Sequence, residues 1–108
     1  MITEKPPAHT PSRLTRVACS TVSARIALQA NTRRLEITNI AAQQMMIQFG
    51  NSAVVAAIPA AGASVNGGYL LPAIAGAKAF LDAPTDATHV AFILGASTGD
   101  AFVSESAD

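Results

Sequence analysis

Charge is scarce in this chain. Only 13% of its 108 residues are Asp, Glu, Lys or Arg, and the formal net charge is zero, against about 25% charged residues in an average soluble domain. A domain of this size exposes much surface per unit volume and normally needs charge to stay dispersed. The shortage predicts that part of the surface is covered by other subunits, the alternative being an Ala-rich surface that simply tolerates water. Cysteine is nearly missing too. Cys19 stands alone, which excludes an internal disulfide framework. Its place at the end of an apolar run reads as a small buried hydrophobe rather than a nucleophile.

The other absences remove whole classes of chemistry. There is no tryptophan and Tyr69 is the one tyrosine, which leaves little to stack on sugar rings. Of the two histidines, His9 lies in a proline-rich stretch and His89 opens an apolar run. Neither stands at metal-ligand spacing from another donor or in a nucleophile–base pattern, so no catalytic, cofactor-binding or metal site is expected. Asp82 and Asp86 flank a turn and are near enough in sequence to share a hard cation, but carboxylates beside proline are ordinary turn chemistry. Asn66-Gly67-Gly68 does not lead into Gly-Lys-Ser/Thr and is no phosphate cradle. No apolar run approaches the ~20 residues that cross a bilayer, and the N-terminal stretch lacks the apolar middle of a signal peptide, so a soluble protein from a reducing compartment is expected.

The few charges are segregated. Residues 1–39 carry a net +4 and residues 80–108 carry −5. This asymmetry either cancels within one subunit or steers contacts between subunits. A nucleic-acid site would need a basic stripe interleaved with rings. Arg13, Arg16, Arg33 and Arg34 are the candidates, but Phe49, Tyr69, Phe80, Phe92 and Phe102 read mostly as core. A solvated or intersubunit face suits those arginines better, and neither nucleic acid nor a membrane is expected as a partner.

What the chain does have is a succession of short apolar segments with period two: Val22, Ala24, Ile26, Leu28; then Leu35, Ile37; then Met45, Ile47, Phe49; then Val90, Phe92, Leu94. That period places alternate side chains on opposite faces of a strand. With turn residues between the runs, the expected class is all-β: a single antiparallel β-sandwich, jelly-roll-like. Strands are expected over 13–19, 21–28 (possible as one bent strand with the first), 33–39, 44–50, 53–58, 69–72, 77–82, 88–94 and 101–104. Residues 44–50 and 53–58 would form a hairpin about Gly50-Asn51-Ser52, with a helix over 41–48 as the competing reading. The stretch 88–94 should be central, with Ile37 and Phe49 beside Val90, Phe92 and Leu94. Residues 105–108 read as a polar, acidic tail. Pro6, Pro7 and Pro11 make 1–12 an extended N-terminal arm, leaving 13–108 as the sandwich domain.

The order of several pieces resembles small structural proteins of tailed bacteriophages and prophages. ARIALQANTRRLEITN (24–39) leads to IQFGNSAVVA (47–56), then GYLLPA (68–73), APTDATHVAFI (83–93) and TGDAFVS (98–104). The resemblance implies a virion component assembled in the host cytoplasm: a capsid decoration (cement) subunit, or a part of the tail or head–tail junction. It implies the major capsid protein or other virion proteins as partners, and a homo-oligomer, a trimer before a dimer. It brings no catalytic residues. A carbohydrate-binding β-sandwich module is the competing function, and an enzyme comes third.

Overall fold

Strands with one apolar face must bury it, and two stacked sheets let all of them do so at once. The computed structural model describes residues 11–65 and 67–107, and it has this design. Its strands are β1 (Arg13–Cys19), β2 (Ala24–Ala27), β3 (Arg34–Asn39), β4 (Met45–Gly50), β5 (Gly68–Leu71), β6 (Ala77–Asp82), β7 (His89–Leu94) and β8 (Gly99–Ser106). They form two four-stranded sheets, β1-β8-β3-β6 and β2-β7-β4-β5, and every pairing is antiparallel. No helix occurs among the described residues.

The pairing follows a folded ribbon. β1 lies against β8, β2 against β7, β3 against β6 and β4 against β5, while β8 also meets β3 and β7 also meets β4. Successive rungs of the ribbon alternate between the two sheets. All connections therefore fall at two ends. The β2–β3, β4–β5 and β6–β7 loops share one end with the start of β1 and the finish of β8. The β1–β2, β3–β4, β5–β6 and β7–β8 loops share the other.

The core is what the alternation dictates. Leu35 and Ile37 of β3 are fully buried while Arg34, Glu36 and Thr38 between them are part-exposed. Val90, Phe92 and Leu94 point inward from β7, which is central between β2 and β4, and Ile37 and Phe49 belong to the same apolar cluster.

Several boundaries differ from the sequence expectation. Residues 21–28 do not continue β1. The chain breaks at Ser20, whose carbonyl accepts the Leu94 N–H at 2.8 Å, and β2 joins the other sheet. The helix over 41–48 does not form, because 45–48 are ladder residues of β4. Residues 53–58 are not a strand: β5 and β7 already occupy both sides of β4. Asn51 does make the expected turn, its side-chain oxygen accepting the Ala53 N–H at 2.9 Å. The turn, however, sends the chain across the outer face of the second sheet. There Ala57 N–H donates to Gln48 Oε1 (2.7 Å) and Ala56 N–H to Ser23 Oγ (2.9 Å). This cover explains why Met46, Gln48 and Ala91, which point away from the core, are buried. Of the rings expected to be mostly core, Phe80 is instead 62% exposed on β6, an edge strand, and Tyr69 is 47% exposed on β5.

β8 is longer than expected, reaching Ser106, and it is central in its sheet. Glu105 and Ser106 are fully buried rather than part of an exposed tail. The arm assigned to 1–12 lies outside the described residues up to Thr10. Ser12 belongs to the sandwich instead, its N–H donating to the Glu105 carbonyl at 2.7 Å.

Phe92 is fully buried between the sheets. Phe92→Ala is expected to lower the unfolding free energy by about 3–5 kcal/mol in urea denaturation, through lost transfer energy and the cavity left behind. A loss below about 1 kcal/mol would place Phe92 outside the core.

Candidate functional site

At the first loop end the sandwich closes on a carboxylate. Glu105 follows Ala101 and Val103 on the inward face of β8 and is paired across the ladder with Arg13. A buried carboxylate without donors would cost far more than its packing returns. Here Arg13 Nε donates to Oε2 at 2.5 Å, while Gln29 N–H and Thr32 Oγ1 donate to Oε1, both at 2.8 Å. Arg13 also donates through Nη2 to the Ala27 carbonyl at 2.7 Å. The last strand thereby pins the β2–β3 loop by its backbone and by a side chain.

That loop is one wall of a cleft of about 740 Å³, and residues 83–88, between β6 and β7, are the other. The walls are tied at both ends: Ala83 N–H donates to the Arg33 carbonyl (2.8 Å) and Leu28 N–H to the Thr88 carbonyl (2.9 Å). Pro84 starts a turn closed by Ala87 N–H on its carbonyl at 3.0 Å. A smaller hollow of about 270 Å³ lies beside Phe49, Asn51 and Asp86.

The opposite end differs in kind. Its loops, residues 20–23, 40–44, 72–76 and 95–98, contain no Asp, Glu, Lys or Arg. Val22 is 73% exposed, Ile40 44% and Ile74 62%. Asn39, fully buried, knits this end together. Its Nδ2 donates to the carbonyls of Gln43 (2.8 Å) and Pro72 (3.4 Å), and its Oδ1 accepts the Ala41 N–H at 3.0 Å. Ala41 in turn sits so close to Gly99 that a Cβ there would stand 3.0 Å from the Ala41 Cα. The apolar side chains of this end thus project from a rigid base.

The arginines are placed by register. Arg13 pairs with Glu105, Arg16 with Asp100 while lying over the Phe102 ring, and Arg34 with Asp82 at 3.3 Å. Lys78 meets Glu36 at 3.3 Å. The basic early strands therefore cancel the acidic late ones inside one subunit, because β1 runs beside β8 and β3 beside β6. Arg33 is the exception among the four and lines the cleft.

The remaining candidates do not converge. Asp82 is taken by Arg34, and Asp86 lies in the smaller hollow. Among the described residues no group of three His, Cys, Asp or Glu could hold a metal ion. His89 Nδ1 shares a 2.8 Å hydrogen bond with Thr88 Oγ1, and His9 lies outside the described residues. Cys19 is buried, and burial, aided by the nearby Asp100 charge, pushes its thiol up to about 11. No helix among the described residues is long and apolar enough to cross a membrane.

Compared with known proteins, the chain matches no family model, no curated protein and no solved structure.

Sequence reasoning missed Glu105 as a structural anchor. The signal was its period-two spacing from Ala101 and Val103. It also missed the uncharged end, whose four loops are individually legible but far apart along the chain.

Glu105→Ala is expected to cost about 3–5 kcal/mol, because Arg13 and the two loop donors lose their acceptor together. Hydrogen exchange should show the Gln29 amide losing protection before the core; unchanged protection there would remove Glu105 from its anchoring role. The Cys19 thiol should resist iodoacetamide at pH 8 until denaturant is added. Its burial favours the neutral form, so that contribution to stability is complete below pH 9.0 and is lost as pH rises toward about 11, since the unfolded thiol ionises first. Rapid native alkylation would contradict the burial.

Proposed function

We propose that this chain is a non-enzymatic structural subunit of a tailed-bacteriophage or prophage particle. Its role would be that of a capsid decoration (cement) protein, self-associated as a trimer and seated on the major capsid protein. The uncharged loop end carries this reading. Val22, Ile40 and Ile74 project there from loops that hold no charge, on a base fixed by Asn39. In a trimer, copies of this loop end would converge on the three-fold axis without like-charge repulsion, whereas the outer face of the β1-β8-β3-β6 sheet is studded with ion pairs. The low overall charge agrees, since a surface covered in the assembly needs none for dispersal. In this reading the ribbon wrap is jelly-roll-like, an architecture used by viral capsid domains, and the ordered pieces from 24 to 104 are phage-like.

The mechanism is burial of apolar surface between subunits. At about 25 cal/mol per Å² of apolar area, roughly 300 Å² per contact contributes several kcal/mol before the cost of association. Repetition around a closed lattice multiplies that effect.

Sedimentation equilibrium at micromolar concentration should show an oligomer, with the exposed-site variants Ile74→Asp and Val22→Asp shifting it toward an 11.0 kDa monomer without loss of thermal stability. Cryo-electron microscopy of the particle should place the protein on the capsid surface. A wild-type chain that stays at 11.0 kDa throughout, or density found only in the tail, would defeat this reading.

A further inference from the structure

The cleft between the β2–β3 and β6–β7 loops offers hydrogen-bond donors that the fold leaves unused. Arg33 is fixed through its backbone, its N–H donating to the Ser106 carbonyl and its carbonyl accepting from Ala83, both at 2.8 Å. Its exposed guanidinium forms no ion pair among the described residues, unlike Arg13, Arg16 and Arg34. No acidic side chain lines the cleft. Asn31 and Thr85 line it as well, and their side chains make no hydrogen bond among the described residues. Gln29 uses its amide oxygen on Ser12 Oγ at 2.8 Å, which leaves its amide hydrogens for a ligand. Leu28 and Pro84 supply apolar patches between these groups.

We infer that this cleft binds an acidic saccharide, with a sugar carboxylate on the Arg33 guanidinium and ring hydroxyls on Asn31, Thr85 and Gln29. The volume of about 740 Å³ falls in the range of small-molecule sites and has room for one or two sugar rings. The lining holds one cation and several neutral amide or hydroxyl groups, which complements a ligand rich in hydroxyls that brings a carboxylate to the arginine. No aromatic ring lines the cleft, so selectivity rests on charge-assisted hydrogen bonds rather than on stacking. The Glu105 carboxylate and the two inter-loop hydrogen bonds hold both walls before any ligand arrives, which lowers the ordering cost of binding. The cleft lies at the opposite end of the sandwich from Val22, Ile40 and Ile74, so binding here is independent of the proposed assembly and either can fail alone.

The test is an amide-shift titration of the ¹⁵N-labelled full chain at low ionic strength with digalacturonate, neutral galactobiose and acetate. Digalacturonate should give saturable shifts at Asn31, Arg33 and Thr85 and bind about tenfold or more tightly than either other probe. Arg33→Gln should reduce digalacturonate to the galactobiose level. Arg25→Gln, which removes an exposed arginine on β2 outside the cleft, should leave affinity unchanged. Any of three results overturns the proposal: no saturable shifts in the cleft, acetate or galactobiose equal to digalacturonate, or Arg25→Gln as damaging as Arg33→Gln. Thr85→Ala, at an exposed loop position, keeps the test decisive should Arg33→Gln prove unstable: it should weaken digalacturonate several-fold, and unchanged affinity would count against the site.

Discussion

The buried carboxylate of Glu105 is the contact on which one whole end of this sandwich depends. It stands at the finish of β8, the central strand that joins β1 to β3, and it collects donors from Arg13, Gln29 and Thr32. Those residues come from the first strand and from the loop that carries the chain between sheets. One side chain therefore ties the strand ladder to a crossover connection. A hydrophobic residue at this place would fill the same volume and leave three donors without an acceptor, which is the more damaging error in a low-dielectric interior.

Asn39 has the corresponding role at the other end. It too is fully buried on an inward strand position, and it hydrogen-bonds two carbonyls and one N–H from the loops of that end. The two polar residues bracket an apolar core of Leu35, Ile37, Val90, Phe92 and Val103. Polar groups inside the sandwich are thus confined to its ends, where chain crossings create unsatisfied backbone groups. The ends are also where loops are displayed, so the anchors double as supports for whatever the loops contact.

Charge is distributed to match. The sheet face of β1, β8, β3 and β6 holds cross-strand pairs such as Arg16–Asp100 and Lys78–Glu36, which keep that face solvated. Exposed pairs of this sort add little stability, and their value here is solubility. The loops of one end carry no charged residue, while the cleft at the other presents Arg33 without a counter-ion among the described residues. The proposed division of labour follows: assembly through the uncharged end and ligand recognition through the basic cleft.

Much of the architecture was legible in the chain itself. The period-two runs of β3 and β7 determined which side chains point inward, because strand geometry allows no other choice. Scarce charge, the lone Cys19 and the turn at Asn51-Ser52 were equally plain. The fate of residues 53–58 was not: Val54 and Val55 suit a strand, but whether a neighbour is available to pair with is a tertiary question, and β5 and β7 had taken both edges of β4. Nor could Glu105 be told from a solvated acidic tail until β1 and the β2–β3 loop brought it three donors. The cancellation of a basic beginning by an acidic end was decided in the same way. Composition set how much charge there was, and only the antiparallel register of β1 on β8 and β3 on β6 determined which charges meet.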